Sequence, residues 1–326
     1  MTDTDGQAKA SAPTQPGGET QCALIAVIGA PNAGKSTLVN AMVGAKVSIV
    51  THKVQTTRAR VRGVALVGSA QLVFIDTPGI FKPKRRLDRS MVAAAWEGAE
   101  GVDMTLCMVD APTYLAAEKG EASARKCRDD TDAILARLSN SDGEAILVLN
   151  KIDRIPRDRL LALLDTLGKA ASFARVFLIS ALTGDGIADL KSFLADTAPP
   201  GPWLYPPDQL SDITDRLMAA EVTREKLYLR LHDELPYDTT VETERWTRTA
   251  KKELRIDQII YVARDTQKGI VVGKGGQTLK TIGELARKDL AELLDEPVHL
   301  FIHVKVRENW ANEAARYREM GLDIVD

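Results

Sequence analysis

The chain has 326 residues, with 43 Lys and Arg against 45 Asp and Glu and a formal net charge of −2. That length predicts two domains rather than one, and the near-neutral balance gives no global reason to expect a nucleic-acid partner. No apolar run reaches the roughly eighteen residues of a membrane-spanning helix, and three scattered cysteines with no Cys-x-x-Cys pair fit a reducing cytoplasm rather than a disulfide framework.

Residues 1–21 are rich in Thr, Gly, Pro, Ser and Gln and predict a disordered tail. With acidic residues, one Lys, no Arg and no apolar core, they do not read as a signal or transit peptide. An apolar run, Ala23 to Ile28, then predicts a buried strand, and Thr37 to Val43 predicts a helix. Between them lies Gly29-Ala30-Pro31-Asn32-Ala33-Gly34-Lys35-Ser36. Strand, glycine loop and helix start, in that order, are what a polyphosphate needs. Gly29 and Gly34 let the loop turn its N–H groups inward, Lys35 brings a positive charge to the β- and γ-phosphates, and the Ser36 hydroxyl is a magnesium ligand.

Next comes Val54-Gln55-Thr56-Thr57-Arg58 in a polar, basic stretch. A threonine here completes a magnesium shell only while a γ-phosphate is present, which makes the stretch an order–disorder switch. Sequence does not separate Thr56 from Thr57; the preference for Thr57 is slight. A strand, Gln71 to Ile75, ends in Asp76-Thr77-Pro78-Gly79. Asp76 is placed to hold magnesium through water, and Gly79 to bring its N–H to the γ-phosphate. Position 80 is Ile80, which neither donates nor accepts a hydrogen bond, where Ras-like enzymes carry a water-orienting glutamine. Slow intrinsic hydrolysis is therefore expected. A basic run, Lys82-Pro83-Lys84-Arg85-Arg86, follows.

The base is read from two later segments. Ala145 to Leu149 predicts a strand that ends in Asn150-Lys151-Ile152-Asp153. A carboxylate at Asp153 accepts from both N1–H and the exocyclic amine of guanine, a donor pair that adenine lacks. Asn150 is placed to tie this loop to the glycine loop, and the Lys151 stem to lie over the ring. Arg175 to Ile179 predicts another strand, ending in Ser180-Ala181-Leu182, where the Ala181 N–H suits guanine O6. The nucleotide expected is GTP.

Ala198-Pro-Pro-Gly-Pro-Trp-Leu-Tyr-Pro-Pro207 can be neither helix nor central strand and reads as a linker. Beyond it, a helix near Leu217–Leu231, strand-like runs at Asp238–Thr247 and Ile256–Ala263, a helix from Thr278 to Leu294 and an alternating strand from Val298 to Val306 are expected. A closing helix is expected over Trp310–Met320. Gly273-Lys274-Gly275-Gly276 sits before the long helix. From Arg245 to Lys288 there are eleven Lys and Arg against four acidic residues, a local balance of +7 around that loop. His299 and His303 alternate on one strand face, for which packing is the better reading than a metal pair.

Gly-x-Pro-Asn-x-Gly-Lys-Ser at Gly29–Ser36, Gln-Thr-Thr-Arg at Gln55–Arg58, Asp-Thr-Pro-Gly-Ile at Asp76–Ile80, Asn-Lys-Ile-Asp at Asn150–Asp153 and Ser180-Ala181 resemble the Era/TrmE branch of translation-associated GTPases. The Gly273–Gly276 loop, Leu235-Pro236-Tyr237 and Glu284-Leu-Ala-Arg-Lys288 narrow the resemblance to the Era family, bacterial GTPases with a C-terminal KH domain, over roughly residues 22–324. The resemblance implies a doubly wound, mostly parallel α/β P-loop GTPase domain followed by an α+β type II KH domain. The expected divisions are 1–21 tail, 22–197 GTPase, 198–210 linker and 211–326 KH.

By the same resemblance, GTP or GDP contacts Gly29 to Thr37, Asp76 to Ile80, Asn150 to Asp153 and Ser180 to Leu182, with Ser36, Thr57 and Asp76 holding Mg2+. Lys35, Asn32, Thr57 and Gly79 serve hydrolysis, Asn32 as a candidate ligand for K+, although the residues fit a plain turn role for Asn32 equally well. Gly273, Lys274, Gly275, Gly276 and Lys280 bind RNA, about four nucleotides in a KH loop. The implied partners are the 3′ end of small-subunit ribosomal RNA and the 30S subunit, in a cytoplasmic monomer that associates peripherally with the inner membrane. Two other readings are weaker. A tRNA-modifying component like TrmE needs a C-terminal cysteine, and none follows Cys127. An adaptor with a dead nucleotide domain is disfavoured by Lys35, Ser36 and Asp76.

Overall fold

The computed structural model describes residues 19–53, 56–140, 145–232 and 235–308, with residues 310, 313, 314, 317 and 320–325. Of the expected tail over 1–21, residues 1–18 lie outside the described residues, as do the pair Val54-Gln55 and most of the expected Trp310–Met320 helix, whereas Gln21 already begins the first strand. Two sheets carry the chain. The first has six strands in the order β2-β3-β1-β4-β5-β6, and the second three in the order β7-β8-β9.

In the first sheet, β1 (Gln21–Gly29) lies between β3 (Ala70–Asp76) and β4 (Met104–Asp110), parallel to both. Residues Ile25 and Val27 face one apolar cluster and Ile28 the other, so the strand is buried on both faces. Helices α1 (Lys35–Val43) and α6 (Ile187–Asp196) cover the first face through Leu38, Met42, Leu190 and Leu194. The opposite face takes α2 (Arg86–Glu97), α3 (Ala111–Ala116), α4 (Ala122–Leu138) and α5 (Arg157–Ala170) through Ala95, Tyr114, Ile134 and Leu163. Strands β5 (Ala145–Asn150) and β6 (Phe173–Leu178) continue the parallel sheet. Sequence offered no strand at β2 (Val61–Val67), an antiparallel edge whose exposed Arg62 breaks the apolar run. The strand order reverses at β1, so the loops after β1, β3, β5 and β6 share one crevice at the carboxyl ends.

The second sheet pairs β7 (Thr239–Arg248) antiparallel and β9 (Val298–Val306) parallel with β8 (Leu254–Val262). Helices α7 (Asp215–Arg230), α8 (Asp265–Val272) and α9 (Gln277–Leu294) complete it in the order α-β-β-α-α-β. Thr214 starts α7 as an N-cap, its hydroxyl accepting from Leu217 N–H at 3.3 Å. Leu227, Ile260, Val271, Ile282 and Val304 form one apolar cluster under the helices, and Val222, Ile256, Leu290 and Val298 another. His299 and His303 are exposed on the opposite face, and His299 Nε2 lies 2.9 Å from Glu253 Oε2. The expected packing role of this pair is therefore corrected, because only alternate residues of β9 face the helices.

The Pro-rich stretch is strapped to the edge of the large sheet. Fully buried Gln71 accepts from the Leu204 and Tyr205 N–H groups at 2.8 and 3.0 Å and donates to Tyr205 O at 2.8 Å. Trp203 Nε1 donates to Ser69 O at 2.9 Å. The far C-terminus returns to the first domain, where Tyr317 and Leu322 pack with Leu87, Met91 and Ala94 on α2.

The two domains meet on the segment between α1 and β2. Lys46 Nζ lies 2.7 Å from Glu225 Oε2 on α7, whose other oxygen accepts Val50 N–H at 2.9 Å. Burial raises the Glu225 carboxyl, but Lys46, Val50 N–H and Lys226 outweigh it and hold it below the usual range. Lys53 Nζ donates to Leu231 O, and Arg224 Nη2 to Thr56 O. Arg58 goes deepest. Its guanidinium, 2% exposed, donates to Thr239 O at 2.9 Å, Tyr228 Oη at 2.8 Å and Tyr237 O at 3.1 Å, and stands 5.9 Å from the Trp310 ring centre. Removing it orphans several buried acceptors. Arg58→Ala should cost about 3 kcal/mol, and Arg58→Lys most of that, because an ammonium cannot span the fork of partners. Urea denaturation followed by tryptophan fluorescence checks this; a wild-type midpoint for Arg58→Ala would contradict the docking role.

Candidate functional site

The four loops at the crevice enclose a cleft of about 630 Å³ lined by Asn32, Gly34, Lys35, Ser36, Thr37, Thr57, Gly79, Asn150, Lys151 and Asp153, among others. The volume suits a nucleotide. Its floor is the glycine loop. Gly34 has φ of +98°, and a Cβ there would stand 2.2 Å from Asn150 Nδ2. That close approach lets Asn150, 2% exposed, donate from Nδ2 to Ala33 O at 2.8 Å. Asn150 thus ties its loop to the glycine loop, as its type and place lead one to expect. Its Oδ1 accepts the Ala181 N–H at 2.9 Å, so in this structure the donor expected for guanine O6 is engaged within the protein.

Lys35 is buried, its Nζ donating to Gly29 O and Ala30 O, each at 3.1 Å. Burial pushes its pKa down to about 8, against the opposing pull of Asp76. Asp76 is fully buried and neither carboxylate oxygen has a well-formed hydrogen bond among the described residues. Burial raises its pKa, while the Ser36 hydroxyl, Lys35, and the Ser48 and Thr57 hydroxyls pull the other way. Ser36 Oγ and Thr57 Oγ1 are 2.7 Å apart. A buried carboxylate without hydrogen bonds beside two hydroxyls is a hard-oxygen donor set of the kind a divalent cation takes. Thr56 faces elsewhere: its Oγ1 is 2.6 Å from Thr51 Oγ1 and donates to Lys53 O at 2.7 Å. Geometry therefore separates the two threonines.

Gly79 lies against the glycine loop; a Cβ there would come within 2.9 Å of Pro31 Cα. Three residues of the expected contact set turn their side chains away from the cleft. Ile80 is buried in the cluster beneath α2 and α3, its N–H donating to Gly29 O at 3.1 Å. Thr77 Oγ1 donates to Val27 O at 2.8 Å, and Ile152 packs on the same cluster as Ile80. Apolar side chains there gain more from the core than from a polar cleft. Pro78 joins Thr77 to Gly79, and Leu182 is exposed at the rim with Ala181 beneath it. Asp153 lines the base end, 3.8 Å from Arg154 Nε.

Several lining residues carried no motif. Asp110 ends β4 much as Asp76 ends β3, a signal that was available; it accepts Thr113 N–H at 3.1 Å and Lys151 Nζ at 2.5 Å. Lys151 Nζ also donates to Asn32 O at 2.8 Å, so its stem crosses the cleft. Ser123, Lys126, Cys127 and Asp130 sit in a run without any flanking pattern. Burial pushes the Cys127 thiol to about 11, which leaves it inert.

In the second domain, Gly273 has φ of +75° and a Cβ there would meet Thr278 Oγ1 at 2.1 Å. Gly275 and Gly276 adopt φ of +61° and +78° with open space where a Cβ would stand. Crowding thus fixes Gly273 as glycine, and at Gly275 and Gly276 the requirement is the left-handed backbone. Lys274 and Lys280 are exposed beside the loop.

A family model described as 50S ribosome-binding GTPase matches residues 24–151, and one described as KH domain matches residues 234–311. The chain is 53% identical over 324 residues to GTPase Era of Rhizobium meliloti, covering 99% of this chain and 98% of that one. It belongs to the Era family. GTPase Era of Brucella suis is 54% identical over 305 residues, covering 94% of each chain. Among solved structures, Era in complex with MgGDPNP and nucleotides 1506–1542 of 16S ribosomal RNA superposes with a TM-score of 0.82 at 35% identity, covering 93% of this chain and 99% of that one. A point variant of Aquifex aeolicus Era bound to GDP·AlF4− gives 0.81 at 35% identity with the same coverage. As an Era GTPase, the chain binds GTP and GDP and hydrolyses GTP.

The lowered Lys35 pKa has a consequence for binding. Phosphates next to the ammonium favour its charged form, so above pH 8 the free protein must take up a proton to bind. Affinity for GDP should fall about fourfold between pH 7 and pH 8.5, below the range where guanine itself deprotonates. Isothermal titration in two buffers of different ionisation heat checks both the fall and the proton uptake; a flat profile would show that Lys35 stays charged in the free protein.

Proposed function

We propose that this Era-family GTPase is a switch that binds the 3′ end of 16S ribosomal RNA through its second domain and assists assembly of the 30S subunit. The observation that carries the proposal is the seating of residues 46–53 and 56–58, which lie beside the nucleotide cleft, on α7 and the start of β7. One segment thus touches both the nucleotide side and the RNA domain. The complex of a relative with 16S ribosomal RNA supports the choice of RNA. The proposed divisions are 22–197 for the GTPase, 198–210 for the strap and 211–326 for the KH domain.

In this reading the N–H groups of Gly29 to Thr37 cradle the phosphates, Lys35 bridges to the β- and γ-phosphates, and Asp153 reads guanine. Ser36, Thr57 and, through water, Asp76 would hold Mg2+, which when bound neutralises charge on the β- and γ-phosphates. Thr57 and Gly79 sense the γ-phosphate. Water adds to the γ-phosphorus as the bond to the β-phosphate oxygen breaks, giving GDP and phosphate. No side chain at position 80 orients that water, so turnover is slow. Asn32 would hold K+: it lies in the left-handed region at φ of +65°, its Nδ2 donating to His52 O at 2.9 Å from the switch segment. The Gly273–Gly276 loop brings its backbone against RNA phosphates, with Lys274 and Lys280 beside it. No described helix is long and apolar enough to cross a membrane. The proposed state is a cytoplasmic monomer with peripheral membrane association.

Two tests address the halves separately. Gly276→Asp places a negative charge where a phosphate passes, and Gly276→Asn keeps a residue that tolerates left-handed backbone without the charge. Gly276→Asp should bind the RNA at least tenfold more weakly than Gly276→Asn, with GTP affinity unchanged in both; equal RNA affinities would remove the loop from the interface. In the cleft, Asp153→Asn should shift preference from GTP toward XTP, whose C2 oxygen accepts from the amide. An unchanged GTP:XTP ratio would show that Asp153 does not read the base.

A further inference from the structure

The basic run Lys82–Arg86 remains outside everything described so far. It follows Gly79, so it belongs to the loop next to the γ-phosphate position. Its backbone is fixed rather than loose. Lys82 N–H donates to buried Asp130 Oδ1 at 3.2 Å, and Lys84 and Arg85 N–H groups both donate to buried Asp88 Oδ2 at 3.0 Å. With those carboxylates used on backbone, the Lys82 and Lys84 ammonium groups are exposed and meet no carboxylate among the described residues.

The run also abuts the RNA domain. Arg85 Nη1 donates to Asp238 Oδ1 at 2.7 Å, and the other oxygen of that carboxylate accepts Gln267 Nε2 at 3.2 Å. Gln267 lies in the first turn of α8, six residues before Gly273, which is about 9 Å along the helix axis. On α8 and the loop, Arg264, Lys268 and Lys274 are exposed, and none has a carboxylate partner among the described residues. Contacts through Arg85, Asp238 and Gln267 thus join the segment that carries Lys82 and Lys84 to the helix that leads to Gly273.

From this continuity we infer that Lys82 and Lys84 form a second phosphate-contact surface, on which an RNA strand held at Gly273–Gly276 continues across the domain boundary onto the loop after Gly79. The inference rests on the RNA-binding reading and adds to it a contact made by the GTPase domain. Exposed lysines on a fixed backbone supply charge without base selectivity, so the contact is with the phosphodiester backbone and its salt dependence is its signature.

The test uses the full chain with a GTP analogue and two RNAs. One spans nucleotides 1506–1542 of 16S ribosomal RNA, as in the relative's complex. The other is a fragment of about six nucleotides from its single-stranded 3′ end, slightly more than a KH loop clamps. Lys82→Ala/Lys84→Ala should bind the long RNA about tenfold more weakly at low salt, with the slope of log K against log salt reduced by about 1.4. It should bind the short RNA within about twofold of wild type, and the nucleotide equally well, while Lys82→Arg/Lys84→Arg retains the long-RNA affinity. Wild-type binding of the long RNA by the alanine variant would overturn the inference, as would equal weakening on both RNAs. Loss of binding to anionic lipid vesicles with RNA binding intact would overturn it in favour of a membrane surface. Failure of the wild-type protein to bind the short RNA would instead overturn the parent reading.

Discussion

The structure depends on how residues 46–53 and 56–58 are held. Ser36 and Thr57 hydroxyls lie 2.7 Å apart at the nucleotide end, and the next residue, Arg58, buries its guanidinium among acceptors of the other domain. A trans peptide bond separates the two side chains by one Cα step of about 3.8 Å. Thr57 therefore cannot move far toward or away from a γ-phosphate without dragging Arg58 against Tyr228 and Tyr237. Among the described residues Arg58 bonds no carboxylate; its two terminal nitrogens donate to carbonyls and a hydroxyl beside two ring faces, while its buried Nε has no partner. Such a socket depends on direction and does not slide, so the segment has few arrangements that keep these bonds. The ionic cluster of Lys46, Glu225, Lys226 and Asp289 extends the same contact to α9, the helix that begins at the glycine loop of the RNA domain.

Charge burial explains why the cleft is built for a ligand. Lys35 and Asp76 are both removed from water, and each carries the pKa shift expected of a charge without enough partners. In the proposed mechanism, phosphates supply what Lys35 lacks and a cation with its waters supplies what Asp76 lacks. The cost of burying the two charges is borne by the core around β1 and β3, which packs both faces of the sheet. Ile80 shows the same core at work. The loop after Gly79 is anchored by an apolar side chain and a bond to Gly29 O.

Much of this was legible in the residues. Gly34, Lys35, Asp76 and Asn150 are fixed by backbone geometry or by charge, and such demands leave marks at single positions. Most elements of the RNA domain were legible because β-period and helical-period runs alternate there cleanly. Features that depend on tertiary contact left no such mark. Strand β2 is an edge with mixed polarity, the Ala181 N–H is claimed by a side chain 31 residues away, and Gly273 is crowded because Thr278 folds over it. Sequence placed Arg58 in a motif next to the switch threonine but could not say that its partners lie about 170 to 180 residues further on. The Pro-rich stretch read as a linker; that it is strapped to the sheet by one buried glutamine is visible only in the fold.

The central claim is that the nucleotide cleft and the RNA loop share one segment, and a thermodynamic cycle tests it directly. Affinity for a non-hydrolysable GTP analogue is measured with and without saturating RNA, and affinity for RNA with and without the analogue, each repeated with GDP. If residues 46–53 and 56–58 serve both sites, the two ratios are equal to each other, differ from one by about fivefold or more, and collapse toward one with GDP. Ratios of one with either nucleotide would contradict the account.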